Sequence, residues 1–146
     1  MTPVLGAEVG IRVENWQEAV EASCRPLLEG GAVEHRYVSR CVEIVADQGP
    51  YIVVAPGIAL AHARPEDGVS TLGLAVVSLA VPVEFGHPDN DPVDLVFAFA
   101  SPDTEQHVNL LGALARAIRG GLDQRIRDST DSAAAVSALE EVLHDV

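Results

Sequence analysis

The chain has 146 residues, is 48% hydrophobic but only 4% aromatic, and carries a formal net charge of -13. That length suits a single domain over residues 1–146 with an aliphatic core, and so acidic a surface repels a phosphate backbone, so no nucleic-acid partner is expected. No apolar run reaches the roughly 18 to 20 uncharged residues of a membrane span, and the start MTPVLGAEVG lacks the basic opening and long apolar middle of a signal peptide; a cytoplasmic, not membrane-spanning protein is expected.

The first ten residues or so offer a short edge strand around Val9 to Val13. In NWQEAVEASCRPLLEGG, Asn15 is a candidate helix N-cap with Glu18 at the capping-box position, and Trp16, Ala19, Val20, Leu27 and Leu28 fall near one face. Gly30 and Gly31 close this helix, and Pro26 is expected to kink or divide it. In EHRYVSRCVEIVADQG, Tyr37, Cys41, Ile44 and Val45 recur at i, i+4, i+7 and i+8, which predicts a second helix ending at Gly49 and Pro50. Sixteen residues separate Cys24 from Cys41, without a CxxC pair or zinc-finger histidine spacing, so both are expected to be buried thiols and no metal site is indicated.

The periodicity then changes. YIVV and IALAH are short extended runs split by Pro56 and Gly57, and the second ends on His62. TLGLAVVSLAVPV and PVDLVFAFA are almost wholly apolar, as central strands covered on both faces should be. Ser101 or Asp103 then caps a helix over TEQHVNLLGALARAIRGG, and a last helix follows Asp131. Helices before and after the strands predict an α/β fold with a single mixed β-sheet flanked by helices on both sides.

Of the five histidines, two are placed for chemistry. An imidazole at the end of an apolar run is often only a satisfied core group, and His62 alone does not decide the matter. His107, however, lies near the start of the helix after DLVFAFA, in line with Leu111, Leu114 and Ile118, so it too sits just past a strand end. If the two strands run parallel, both rings reach one crevice, where open α/β sheets bind their ligands. Two imidazoles, the Arg64 guanidinium and a helix N-terminus suit phosphoryl transfer: a neutral ring nitrogen is a nucleophile at pH 7, and fixed donors stabilise the spreading negative charge. The chain has no G-x-S-x-G, H-E-x-x-H, GxxxxGK[ST] or kinase motif set, so phosphate is expected to arrive from another protein. Ile58, Leu60, Val69 and Phe85 are either the rim of a docking patch or simply core.

YIVVAPGIALAHARPEDG, LAVPVEFGHPDNDPVDLVFAFASPD and TEQHVNLLGALA together resemble the mannitol/fructose-type enzyme IIA components of the bacterial sugar phosphotransferase system, over about residues 10 to 120. Within that superfamily the chain is most similar to the ascorbate-type enzyme IIA. The resemblance implies a mixed sheet flanked by helices, phosphorylation of His62 on Nε2, and a hydrogen bond from His107, forty-five residues on, to the phosphoryl group. It implies phospho-HPr as donor, a cognate enzyme IIB as acceptor, a separate membrane permease and no cofactor; a homo-oligomer is compatible with it. Two positions depart from the family: Ala61 stands where proline often precedes the histidine, and Pro56 where some relatives carry glutamate. A nitrogen-type regulatory relative, whose phosphorylation state controls partner binding, and a pure interaction module remain the competing expectations. The pair His62 and His107 argues against the module.

Overall fold

The structure, a computed structural model, describes residues 2–146. Five strands form one mixed sheet in the order β1-β4-β5-β3-β2, with β1 at Val4–Ile11, β2 at Val53–Ala55, β3 at Ile58–Ala61, β4 at Gly73–Val83 and β5 at Val93–Ala100. β3 runs parallel to β5 and β1 to β4, while β4/β5 and β2/β3 are antiparallel. The helices α1 (Trp16–Glu29) and α2 (His35–Gln48) pack on one face of the sheet, and α3 (Thr104–Arg119), α4 (Leu122–Arg127) and α5 (Ser132–Leu143) on the other.

Strand alternation divides the core. Ala59, Ala61, Val96 and Ala98 join Val20, Leu27, Tyr37 and Cys41 beneath α1 and α2, whereas Ile58, Leu60, Leu95, Phe97 and Phe99 join Leu110, Leu114 and Leu139 beneath α3 and α5. Both faces of β3 and of nearly all of β5 are therefore buried, which accounts for their continuous apolar sequences. Cys24 and Cys41 are buried free thiols, as expected.

Several boundaries differ from expectation. β1 begins at Val4, earlier than the edge strand read at Val9 to Val13, because its parallel register with β4 (Val4 opposite Gly73) overrides local propensity. Of the YIVV run only Val53 and Val54 are in a strand, which continues to Ala55. Pro26 does not divide α1, which runs unbroken from Trp16 to Glu29: it lies in the last turn, so only the Ala22 carbonyl loses its helical donor, and its ring seats against Gly6 of β1, which has no Cβ to obstruct it. Asp103, not Ser101, caps α3: its carboxylate accepts from the Gln106 N–H at 2.8 Å. The residues after Gly121 form the extra helix α4, whose Leu122 and Ile126 are buried. Ile58 and Leu60 are core residues beneath α3 and α5, and Phe85 is a core residue of the other face, against which Val69 packs partly buried, so Ile58, Leu60 and Phe85 form no docking rim.

Candidate functional site

β3 and β5 run parallel with Ala61 opposite Ala98, so their C-terminal ends open on the same side of the sheet. The next residue along β3 is His62, and alternation places it on the face of Leu60 and Ile58. There its ring stacks on Phe99 of β5, with centroids 4.8 Å apart and planes at 17°. The chain leaves β5 through Asp103 into α3, whose first two turns carry His107 above Phe99 at a centroid distance of 5.4 Å. The two imidazoles then lie 5.6 Å apart, centroid to centroid. The expected single crevice is present. The buried stripe of α3 is Leu110, Ala113 and Leu114, with Leu111 and Ile118 only partly covered; His107 lies at its upper end.

One hydrogen bond sets the chemistry of His62. Its Nδ1 lies 2.9 Å from the Leu60 carbonyl oxygen, an acceptor only, so Nδ1 carries the proton and the Nε2 lone pair is free. Burial against Phe99 and its surroundings pulls the ring's pKa below its usual value of 6.5, with the Leu60 carbonyl opposing the shift and His107 adding to it. His62 is thus a neutral, oriented imidazole at pH 7.

Tyr37 of α2 holds the strand ends in place. Its buried hydroxyl donates to the Phe99 carbonyl at 2.7 Å and accepts from the Ala63 N–H at 3.0 Å, tying together the residues that flank His62 and support its ring. Burial pushes its phenol far above the ordinary range, so it remains a neutral bridge. Sequence periodicity marks Tyr37 as core but cannot show this polar role.

A cavity of about 240 Å³ opens at the two rings, lined by α2 residues Arg40, Ile44 and Gln48, by Tyr51, by His62 to Pro65 and by Thr104 and His107. Arg64 caps a short 3-10 turn, Pro65–Asp67, and its own N–H is held by Asp67 Oδ2 at 2.9 Å, which leaves its guanidinium at the cavity wall. Arg40 was not singled out from the sequence. The signal is present nonetheless: Arg40 and Gln48 lie at i and i+8 on either side of Ile44, at the edge of the core stripe of α2. No carboxylate lines the cavity, although the chain has 22 acidic residues. Among the described residues no group of His, Cys, Asp and Glu is arranged to hold a metal, and no helix is long and apolar enough to cross a membrane.

A parallel strand pair that delivers an oriented imidazole to a cationic cavity defines a class of anion-handling α/β domains. Residues 7–142 match the model of the phosphoenolpyruvate-dependent sugar phosphotransferase system EIIA 2 family, and the chain belongs to that family. It is 45% identical over 94 residues to the ascorbate-specific PTS system EIIA component of Escherichia coli K12, an alignment covering 64% of this chain and 61% of that protein, so the match spans about three-fifths of the relative's length. The PTS IIA protein PtxA of Streptococcus mutans superposes with a TM-score of 0.81 at 30% identity, covering 95% of this chain and 89% of the other. The complex of mannitol enzyme IIA with phosphorylated enzyme IIB from Escherichia coli shares the fold, with a TM-score of 0.75 at 23% identity and coverage of 94% and 93%.

Proposed function

We propose that this protein is a phosphoryl carrier in a sugar phosphotransferase system, taking phosphate on His62 Nε2 and passing it on. The observation that carries the reading is the Nδ1 contact to the Leu60 carbonyl, which leaves Nε2 unprotonated beside a cavity free of carboxylates. Attack by the Nε2 lone pair forms an N–P bond while the bond from phosphorus to the donor nitrogen breaks and its electrons return to the donor. Nδ1 keeps its proton throughout, so no general base is needed. His107 at the start of α3 and Arg64 at the cavity wall act as donors to the equatorial oxygens, where negative charge spreads during transfer.

Phospho-HPr is the donor and a cognate enzyme IIB the acceptor in this reading, and both reach the open side of the cavity in turn. The mannitol enzyme IIA of shared fold is found with phosphorylated enzyme IIB, which supports the second half of the relay. The 45% identity to ascorbate-specific EIIA components supports ascorbate as the carbohydrate served.

Incubation with HPr and its upstream kinase tests the reading. One acid-labile, base-stable phosphate per chain is expected, and none in His62→Ala. Persistent labelling of that variant would place the acceptor elsewhere.

A further inference from the structure

We infer that Arg40 of α2 is a second phosphoryl-binding guanidinium of this site, closing on the phosphate from the side opposite α3. The inference rests on the reading of His62 as the phosphoryl acceptor and adds to it a residue on a different element of the fold.

The argument starts from charge. The chain's cations are nine arginines, and four of them, Arg25, Arg36, Arg125 and Arg127, are paired with carboxylates. Arg40 is half-buried yet has no carboxylate within 4 Å among the described residues, even though Glu43 stands one turn away on the same helix. Arg12, Arg64, Arg116 and Arg119 are unpaired as well, but they are exposed; Arg127, the other half-buried arginine among the described residues, is paired, so Arg40 departs from the pattern set by its half-buried counterpart and by its neighbour on α2. Arg36, one turn earlier, shows that pattern: its fork is held by Glu34 Oε2 at 3.0 and 3.2 Å and by the Glu66 carbonyl.

Position supplies the second argument. Arg40 lines the same cavity as His62, His107 and Arg64, with Ile44 and Gln48 further along the wall. Tyr51 lines the cavity together with both arginines, and its phenol, raised first by burial with Cys41 adding to this, is drawn back down by Arg40 and Arg64 alike. The two cations therefore share one small space from separate elements, Arg40 on the regular helix α2 and Arg64 on the turn after β3. A guanidinium is a planar fork that matches two oxygens of a phosphoryl group, and a helix-borne fork is held with less loss of freedom than one on a turn. On phospho-His62, Arg40 donates N–H bonds to the phosphoryl oxygens and favours the dianion. The same contact is open to free inorganic phosphate in the unmodified protein.

Inorganic phosphate is the first probe, titrated into the unphosphorylated protein and followed on the His62 and His107 ring signals by NMR. Arg40→Gln should weaken binding about 5- to 10-fold, and Arg40→Lys, which keeps the charge and loses the fork, should fall between. Arg12→Gln removes an equal charge from a separate groove beside Glu8 and Glu18 and should change binding less than about 2-fold, since the site is screened from it. Equal effects of the two Gln variants would reduce Arg40 to a contributor to the general field and overturn the inference, as would unchanged binding in Arg40→Gln. The second probe is the phosphorus-31 titration of phospho-His62, whose phosphoryl ionisation should move up by about half a pH unit in Arg40→Gln. Labelling of His62 with neither shift refutes the role of Arg40 and leaves the carrier reading intact. Failure to label refutes the carrier reading, while the inorganic phosphate titration still decides on Arg40.

Discussion

The two ends of the β3/β5 pair carry the same kinds of side chain in opposite conditions. At the N-terminal end, Arg127 of α4 is held by Asp94 of β5 at 2.9 and 3.0 Å and by Asp123 at 3.0 Å, against Gly57, where a φ of +76° and the nearby guanidinium leave no room for a side chain. Nearby, His87 accepts from the N–H groups of Asp89 and Asn90 through Nδ1, and Asp91 gathers those of Phe85, Gly86 and His87. At the C-terminal end, His62 spends only Nδ1 on the backbone, and two guanidiniums have no acidic partner among the described residues. Arginine and histidine at one end fasten the chain, because their valences are filled by the protein. At the other their valences are left open toward the cavity.

The largest expected difference between the ends lies in transfer rate. His107→Ala should slow passage of phosphate from His62 by roughly 10² to 10³, the cost of one donor aimed at developing charge, with the fold retained. His107→Gln, which keeps a donor, should recover part of it. Stopped-flow transfer to the acceptor protein decides this, and unchanged rates in His107→Ala would make that residue a structural cap. Arg127→Ala should show the reverse: urea unfolding reporting a loss of about 1 to 2 kcal/mol, from a partly exposed pair discounted for solvent screening, with transfer unchanged. A transfer defect there would dissolve the contrast between the ends.

Tyr37→Phe probes a polar fastening at the C-terminal end itself. It strands the Ala63 N–H and the Phe99 carbonyl, at a cost of about 1 to 3 kcal/mol in denaturant unfolding. Transfer should also slow, by less than in His107→Ala, since the strand end that carries His62 loosens while the nucleophile remains. The smallest effect is that of pH. Because burial lowers the His62 pKa, the acid limb of phosphoryl acceptance should have its midpoint below 6.5. The sign for stability follows: between the folded and unfolded values the unfolded chain binds the extra proton, so the His62 contribution falls as pH drops through 6.5 and below. An acid midpoint above 6.5 would mean that the ring is not desolvated as the Phe99 stack requires.

Much of this was legible in the sequence because apolar runs and caps act locally. The run IALAH ends on the histidine that reaches the cavity, and the helix after DLVF lifts His107 to the same rim; the parallel pairing that brings them together was only a condition until the sheet order fixed it. Arg40 escaped because its meaning depends on what α2 faces, and the core stripe of Tyr37, Cys41 and Ile44 drew the periodicity away from it. The Tyr37 bridge escaped for a related reason: one side chain reports packing through its ring and bonding through its hydroxyl, and only the first has a period. That Pro26 leaves α1 undivided was hidden for another reason, since the space its ring occupies is created by Gly6, twenty residues earlier.

The alternation along β3 also sets how this segment can change length over generations. Ile58, Leu60 and His62 share the face beneath α3, and Ala59, Ala61 and Ala63 share the other. A deletion or insertion of one residue between Gly57 and His62 would deliver the imidazole toward Tyr37 and α2, away from Phe99 and His107, while the apolar residues exchanged cores. A change of two would preserve the face and shift only the reach. The segment is thus a counted spacer as well as a buried strand, and lineages descended from such a chain should keep its residues apolar and their number even or odd, as it stands.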